Sequence, residues 1–130
     1  MILAIDFDGT IVEHKFPKIG KEIPFAIDSL LKLQEEGFQL ILWTSRYGEL
    51  LDEAVAYCQK RGLEFYAVNK NFPEERDNHE VGRKVVADCY IDDRNLGGLP
   101  DWGEIYRQVT GKEEALAPVR RSSLLSWLKS

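Results

Sequence analysis

Apolar positions fall along this chain in short continuous runs separated by amphipathic stretches. The first run, Ile2-Leu3-Ala4-Ile5, is too short for an independent helix and leads into Asp6-Phe7-Asp8-Gly9-Thr10, so it reads as a strand buried on both faces. Residues 11–23 mix Lys, Gly and Pro without periodicity and predict a loop or small hairpin. Pro24 suits the first turn of a helix that carries Phe25, Ile27, Leu30, Leu31 and Leu33 towards a core and stops near Gly37. A second strand over 38–43 delivers Thr44, Ser45 and Arg46 at its end. A second helix over roughly 48–61 presents Leu50, Leu51, Ala54, Val55, Tyr57 and Cys58 and ends at Gly62. Residues 63–68 predict a third strand, the polar 69–83 a loop, 85–91 a fourth strand, and 101–109 a further helix. Strands alternating with helices predict an α/β fold whose parallel sheet is covered on both faces. In the tail, residues 112–130, the stripe Leu124, Leu125, Trp127 and Leu128 predicts a short helix packing onto the parent domain.

Composition narrows the partners. The 130 residues suffice for one domain with a substantial core, and 44% hydrophobic with 30% charged residues is the balance of a soluble globular protein. A net charge of −5 argues against nucleic-acid binding through a broad basic surface. Cys58 and Cys89 have no Cys-x-x-Cys or histidine cluster beside them and read as buried or partly buried thiols. No stretch has the length of a membrane span, and the apolar start is broken by Asp6 and Asp8 rather than preceded by basic residues. A reducing cytoplasm is the expected location.

The candidate chemistry lies at the strand ends. Asp6 and Asp8 sit at or just past the carboxyl end of the first strand, where open α/β sheets place their ligands. Side chains two apart in extended chain project to one side, so both carboxylates can serve one site. A second apolar run, Val85 to Ile91, again ends in acids, Asp92 and Asp93. Like charges about 4 Å apart repel by roughly 4 kcal/mol at an effective dielectric near 20. Such crowding calls for a cation, and a small set of oxygen ligands suits Mg²⁺.

Asp-Phe-Asp-Gly-Thr, Leu-Trp-Thr-Ser-Arg, Lys84 and Tyr-Ile-Asp-Asp-Arg, in that order, resemble the haloacid dehalogenase-like (HAD) superfamily of aspartate-nucleophile phosphohydrolases, over residues 1 to about 97. The resemblance implies a single three-layer α/β/α Rossmann-like (HAD-like) domain and a Mg²⁺-dependent phosphomonoesterase. Asp6 would be the nucleophile that forms an aspartyl-phosphate, and Asp8 the acid and base, its backbone carbonyl also ligating the metal. Thr44 would donate to a phosphoryl oxygen; it or Ser45 could equally cap the following helix. Lys84 would hold the phosphate, with Arg83 its rival. Asp93 would ligate the metal directly, with Asp92 acting through water or orienting Lys84. Arg46 could reach the leaving group or form a salt bridge, and Asn69 and Lys70 could line the pocket. His14 and His79 read as solvated loop residues.

Neither gap between the motifs has room for a full cap domain, so the resemblance is to a capless member. Its pocket would be bordered by residues 11–23 and 69–83, with a second subunit of a homo-oligomer as one way to cover it. The expected substrate is a small phosphorylated metabolite or nucleotide; a macromolecular phosphate is the alternative. A non-enzymatic reading also exists: a receiver-like module phosphorylated on Asp6 shares the acids, the Thr/Ser and the Lys, but not the Asp8 position.

Overall fold

The computed structural model describes residues 1–76 and 85–112. Its strands are β1 (Ile2–Ile5), β2 (Gln39–Leu42), β3 (Ala67–Val68) and β4 (Cys89–Ile91), and its helices α1 (Ala26–Glu35), α2 (Gly48–Gln59) and α3 (Trp102–Thr110). The sheet is parallel throughout, in the order β3-β2-β1-β4. This is a small α/β fold of the three-layer, Rossmann-like type, and its parallel sheet is the one that the alternation of elements predicts.

Crossover handedness explains the layering. The connections β1-α1-β2 and β2-α2-β3 step in the same direction along the sheet, so right-handed crossovers leave both helices on one face. There Ile27, Leu30 and Leu33 of α1 and Ala54 and Cys58 of α2 pack with Leu3, Ile5, Leu40 and Leu42. To reach β4 the chain must step back past β2 and β1, and the described end of this connection lies on the opposite face. Val85 packs there on Ala4, Ile41 and Ala67, with Trp43, Tyr66 and Tyr90 around them. Helix α3 returns to the first face through Trp102, Ile105 and Tyr106. Burial lifts the Cys58 thiol to about 12, which makes it an inert core residue, and Cys89 is also free.

Local chemistry sets the element ends. Asp101 caps α3 by accepting from the Glu104 N–H at 2.9 Å, and Gly111 closes it at φ 75°. Helix α1 begins two residues after Pro24, with Phe25 as its N-cap at φ 66°. That left-handed turn points Phe25 outward, 46% exposed, and corrects the expectation that it faces the core. The fourth strand is also shorter than the 85–91 run predicts, and Val86 is exposed. Side chains take the bonds a longer ladder would have used: Asn71 accepts the Val86 N–H at 2.6 Å, and the Tyr90 hydroxyl donates to the Val85 carbonyl at 2.6 Å. The 11–23 segment is a small antiparallel flap, held by Glu13 N–H to Lys21 and Ile23 N–H to Ile11 carbonyl bonds.

The expected terminal helix and apolar stripe, Leu124 to Leu128, lie outside the described residues, as does the resemblance-implied station at Lys84. Among the described residues no helix is long and apolar enough to cross a membrane.

One buried bond ties α3 to the end of β1: the Trp102 indole N–H donates to the Thr10 carbonyl at 3.0 Å. Trp102→Phe leaves that carbonyl unsatisfied, and the expected cost is about 1–3 kcal/mol in urea unfolding, with an unchanged m-value.

Candidate active site

Strand β1 has neighbours on both sides, β2 and β4, and the described parts of the connections to them, α1 and Val85, pack on opposite faces of the sheet. A crevice opens at its carboxyl end for that reason. Three ladder bonds carry the register into it: Asp6 N–H to Ile91, Trp43 N–H to Ile5 and Asn69 N–H to Leu42 carbonyls, at 2.8–3.0 Å. Asp6, Trp43 and Asp92 therefore stand side by side as the first residues past their strands, with Thr44 one residue further on.

Beyond Asp6 the chain wraps tightly around the Phe7 carbonyl, which accepts the N–H groups of Thr10, Ile11 and Val12. Gly9 makes the turn at φ 88°, and a Cβ there would lie 2.2 Å from an Asp93 carboxylate oxygen. Glycine is thus required twice, for backbone conformation and for room. Thr10, fully buried, then lies between the two acidic strand ends. Its hydroxyl donates to Asp6 Oδ2 at 3.3 Å and accepts the Asp93 N–H at 3.1 Å. The sequence reading gave Thr10 no role; the only signal was its place in the Asp-Phe-Asp-Gly-Thr string.

Asp6, Asp92 and Asp93 each offer a carboxylate oxygen within 4.8 Å of the others. Burial raises the Asp6 pKa to about 7, followed by the charge of Asp92 and then the charge and hydrogen bond of Asp93, against a lowering by the Phe7 N–H. Crowded oxygen-only donors fit a hard divalent cation such as Mg²⁺, and they are the residues the sequence singles out for it. The Asp8 carboxylate is not part of this group.

Asp8 is held instead by Arg46. The guanidinium donates through Nε to Oδ2 at 2.7 Å and through Nη2 to Oδ1 at 2.8 Å, a bidentate pair. Its remaining N–H groups reach the carbonyls of Pro17 and Lys18 in the flap and Leu50 in α2, at 3.0–3.3 Å. All five donors are satisfied. The Phe7 and Phe16 ring centroids each lie 5.2 Å from the guanidinium carbon. Arg46, which sequence placed at the leaving group or on a surface ion pair, has a fully buried side chain.

Thr44 is buried, and its hydroxyl accepts the Arg46 N–H at 3.1 Å, a local turn in place of the expected helix cap. The N-cap of α2 is Tyr47, with no side-chain bond. Asn69, at φ 55°, accepts the Thr44 N–H at 2.8 Å, so it positions Thr44. Ser45 is exposed. An open cleft of about 290 Å³ gathers Asp6, Asp8, Thr44, Ser45 and Asp92, with His14 and Arg94 also along its walls. Lys84, Arg83 and His79 lie outside the described residues.

No family model matches the chain, and no curated protein does. Among solved structures it is similar to that of a conserved protein coded by a locus from Bacteroides thetaiotaomicron, at 58% identity over 88% of this chain and 93% of that one, with a TM-score of 0.79. The chain belongs to that protein's family. The shared fold carries the strand ends described above; the chemistry rests on the side chains found there.

Two outcomes follow from this geometry. Asp6 ionises near 3.8 in an unfolded chain but near 7 in the folded one, so the metal-free fold binds the extra proton between these values. Its contribution is full at low pH and is lost as pH rises through about 7. In chelator, Asp6→Asn is expected to remove that loss and to melt several degrees above the parent at pH 8; calorimetry across pH 5–8 checks it. Arg46→Met strands the Asp8 charge and is expected to cost ~3–5 kcal/mol, with part recovered in Arg46→Met/Asp8→Leu, read from denaturant midpoints.

Proposed function

We propose that this protein is a HAD-type phosphomonoesterase that uses a divalent metal, in the first instance Mg²⁺. The observation that carries the reading is the separation of two carboxylates two residues apart into different surroundings. Asp6 joins Asp92 and Asp93 at the sheet end, while Asp8 is fixed by Arg46 at the same cleft. Two carboxyl groups with distinct environments can take distinct roles.

In this mechanism an Asp6 oxygen attacks phosphorus, and the bond from phosphorus to the leaving oxygen breaks. Asp8, which enters this step protonated and so with its Arg46 pair loosened, gives the leaving oxygen its proton. Water then attacks the aspartyl-phosphate, gives its proton to Asp8 and releases phosphate and the Asp6 carboxylate. Thr44 supplies a hydroxyl to the phosphoryl group, and Thr10 steadies Asp6 from the protein side. Asp6, Asp92 and Asp93, with the Asp8 carbonyl, would hold the metal, which when bound offsets the charge of nucleophile and phosphate.

Steady release of phosphate from phosphate monoesters, measured with Mg²⁺ and after chelation, tests the proposal. Turnover is expected to need the metal, to fall at least a hundredfold in Asp6→Asn and to fall strongly in Asp8→Asn. A single phosphorylation of Asp6 without turnover would favour the receiver-like reading. Undiminished turnover in Asp6→Asn would rule out the covalent route.

A further inference from the structure

Two aromatic rings, Phe16 and Trp43, line the cleft together with the acids. Phe16 is 48% exposed, an apolar ring kept in water beside a charged site. Such exposure gains the fold little, yet the ring is not loose. Its inner side lies over the Arg46 guanidinium, and Arg46 also binds the carbonyls of the next two residues, Pro17 and Lys18. Trp43 immediately precedes Thr44 and meets Tyr90 edge-on, with centroids 5.4 Å apart, so it too is fixed. The same arginine that orients Asp8 therefore holds Phe16, one of the two rings that line the cleft.

We infer that these two rings select phosphate monoesters whose leaving group carries a flat ring, aryl or nucleobase, over those of open-chain polyols and simple sugars. The inference rests on the phosphatase reading and names its substrate class. Rings fixed in advance bind a flat group at little entropic cost and accept any ring with a π-face. Polyol and sugar recognition would instead call for a set of hydrogen-bonding side chains, and among the described lining residues beyond the acids and Thr44 these reduce to His14, Ser45, Arg94 and the indole N–H of Trp43.

The test uses the full chain carrying Asp6→Asn, so that esters stay intact, and calorimetry in Mg²⁺. Phenyl phosphate, adenosine monophosphate, ribose 5-phosphate, glycerol phosphate and inorganic phosphate are compared with Phe16 intact, as Phe16→Leu and as Phe16→Tyr. Leucine keeps apolar cover over Arg46 without a ring, and unchanged melting temperatures confirm that each variant is folded. At least one ring-bearing ester is expected to bind about tenfold tighter than ribose 5-phosphate and glycerol phosphate. Phe16→Leu should erase most of that difference, Phe16→Tyr should keep it, and neither should alter inorganic phosphate. Preference for phenyl phosphate or for the nucleotide tells an aryl ester from a nucleoside. Equal affinity for all esters, or a Phe16→Leu loss that includes inorganic phosphate, would overturn the inference while leaving the phosphatase reading intact. No binding of inorganic phosphate and no phosphate release from any ester by the parent protein would overturn both.

Discussion

A guanidinium with every N–H committed organises this molecule around its cleft. Arg46 leaves β2 just past Thr44 and is buried, so its charge has no water to lean on. Bringing such a charge inside costs several kcal/mol unless it is matched in sign and in hydrogen bonds. Asp8 supplies the sign, and the Pro17, Lys18 and Leu50 carbonyls supply the remaining acceptors. These partners come from three different stretches, so one side chain fixes the turn after β1, the flap and the first turn of α2 relative to one another.

The acids at the sheet end pose the opposite problem. Asp6, Asp92 and Asp93 are brought together by a backbone register that admits no retreat, because β1 and β4 pair up to Ile5 and Ile91. Thr10 answers in part, bridging the Asp6 carboxylate and the Asp93 backbone. Burial first, and then the remaining repulsion from Asp92 and Asp93, leave Asp6 as a carboxyl that ionises near 7. Fold stability and readiness for a cation are thus opposed demands on the same three residues.

Much of this was legible in the chain because strand ends are written locally. Apolar runs closing on Asp6, Thr44 and Asp92 locate the crevice without any knowledge of packing, and alternation with helices makes the sheet parallel. What was not legible depends on contacts distant in sequence. Whether Arg46 faces solvent or Asp8 is decided by the path of the flap, whose carbonyls lie 28 and 29 residues away. Thr10 gains its role only once β4 is laid against β1. Phe25 and Val86 were misplaced because an apolar residue near a helix start or in a strand-like run looks buried. A left-handed cap turned one outward, and Asn71 drew the other out of the ladder.

The bond from Trp102 to the Thr10 carbonyl has a dynamic consequence. Proteins open in contiguous cooperative units, and loops that carry function commonly belong to the least stable of them. Here the loop after Asp6 is pinned by the first residue of a capped helix whose other buried residues lie in the main core. Loosening Thr10 therefore means lifting the start of α3, and amide exchange in the loop should follow that of the helix. The acidic centre therefore shares the protection of the core.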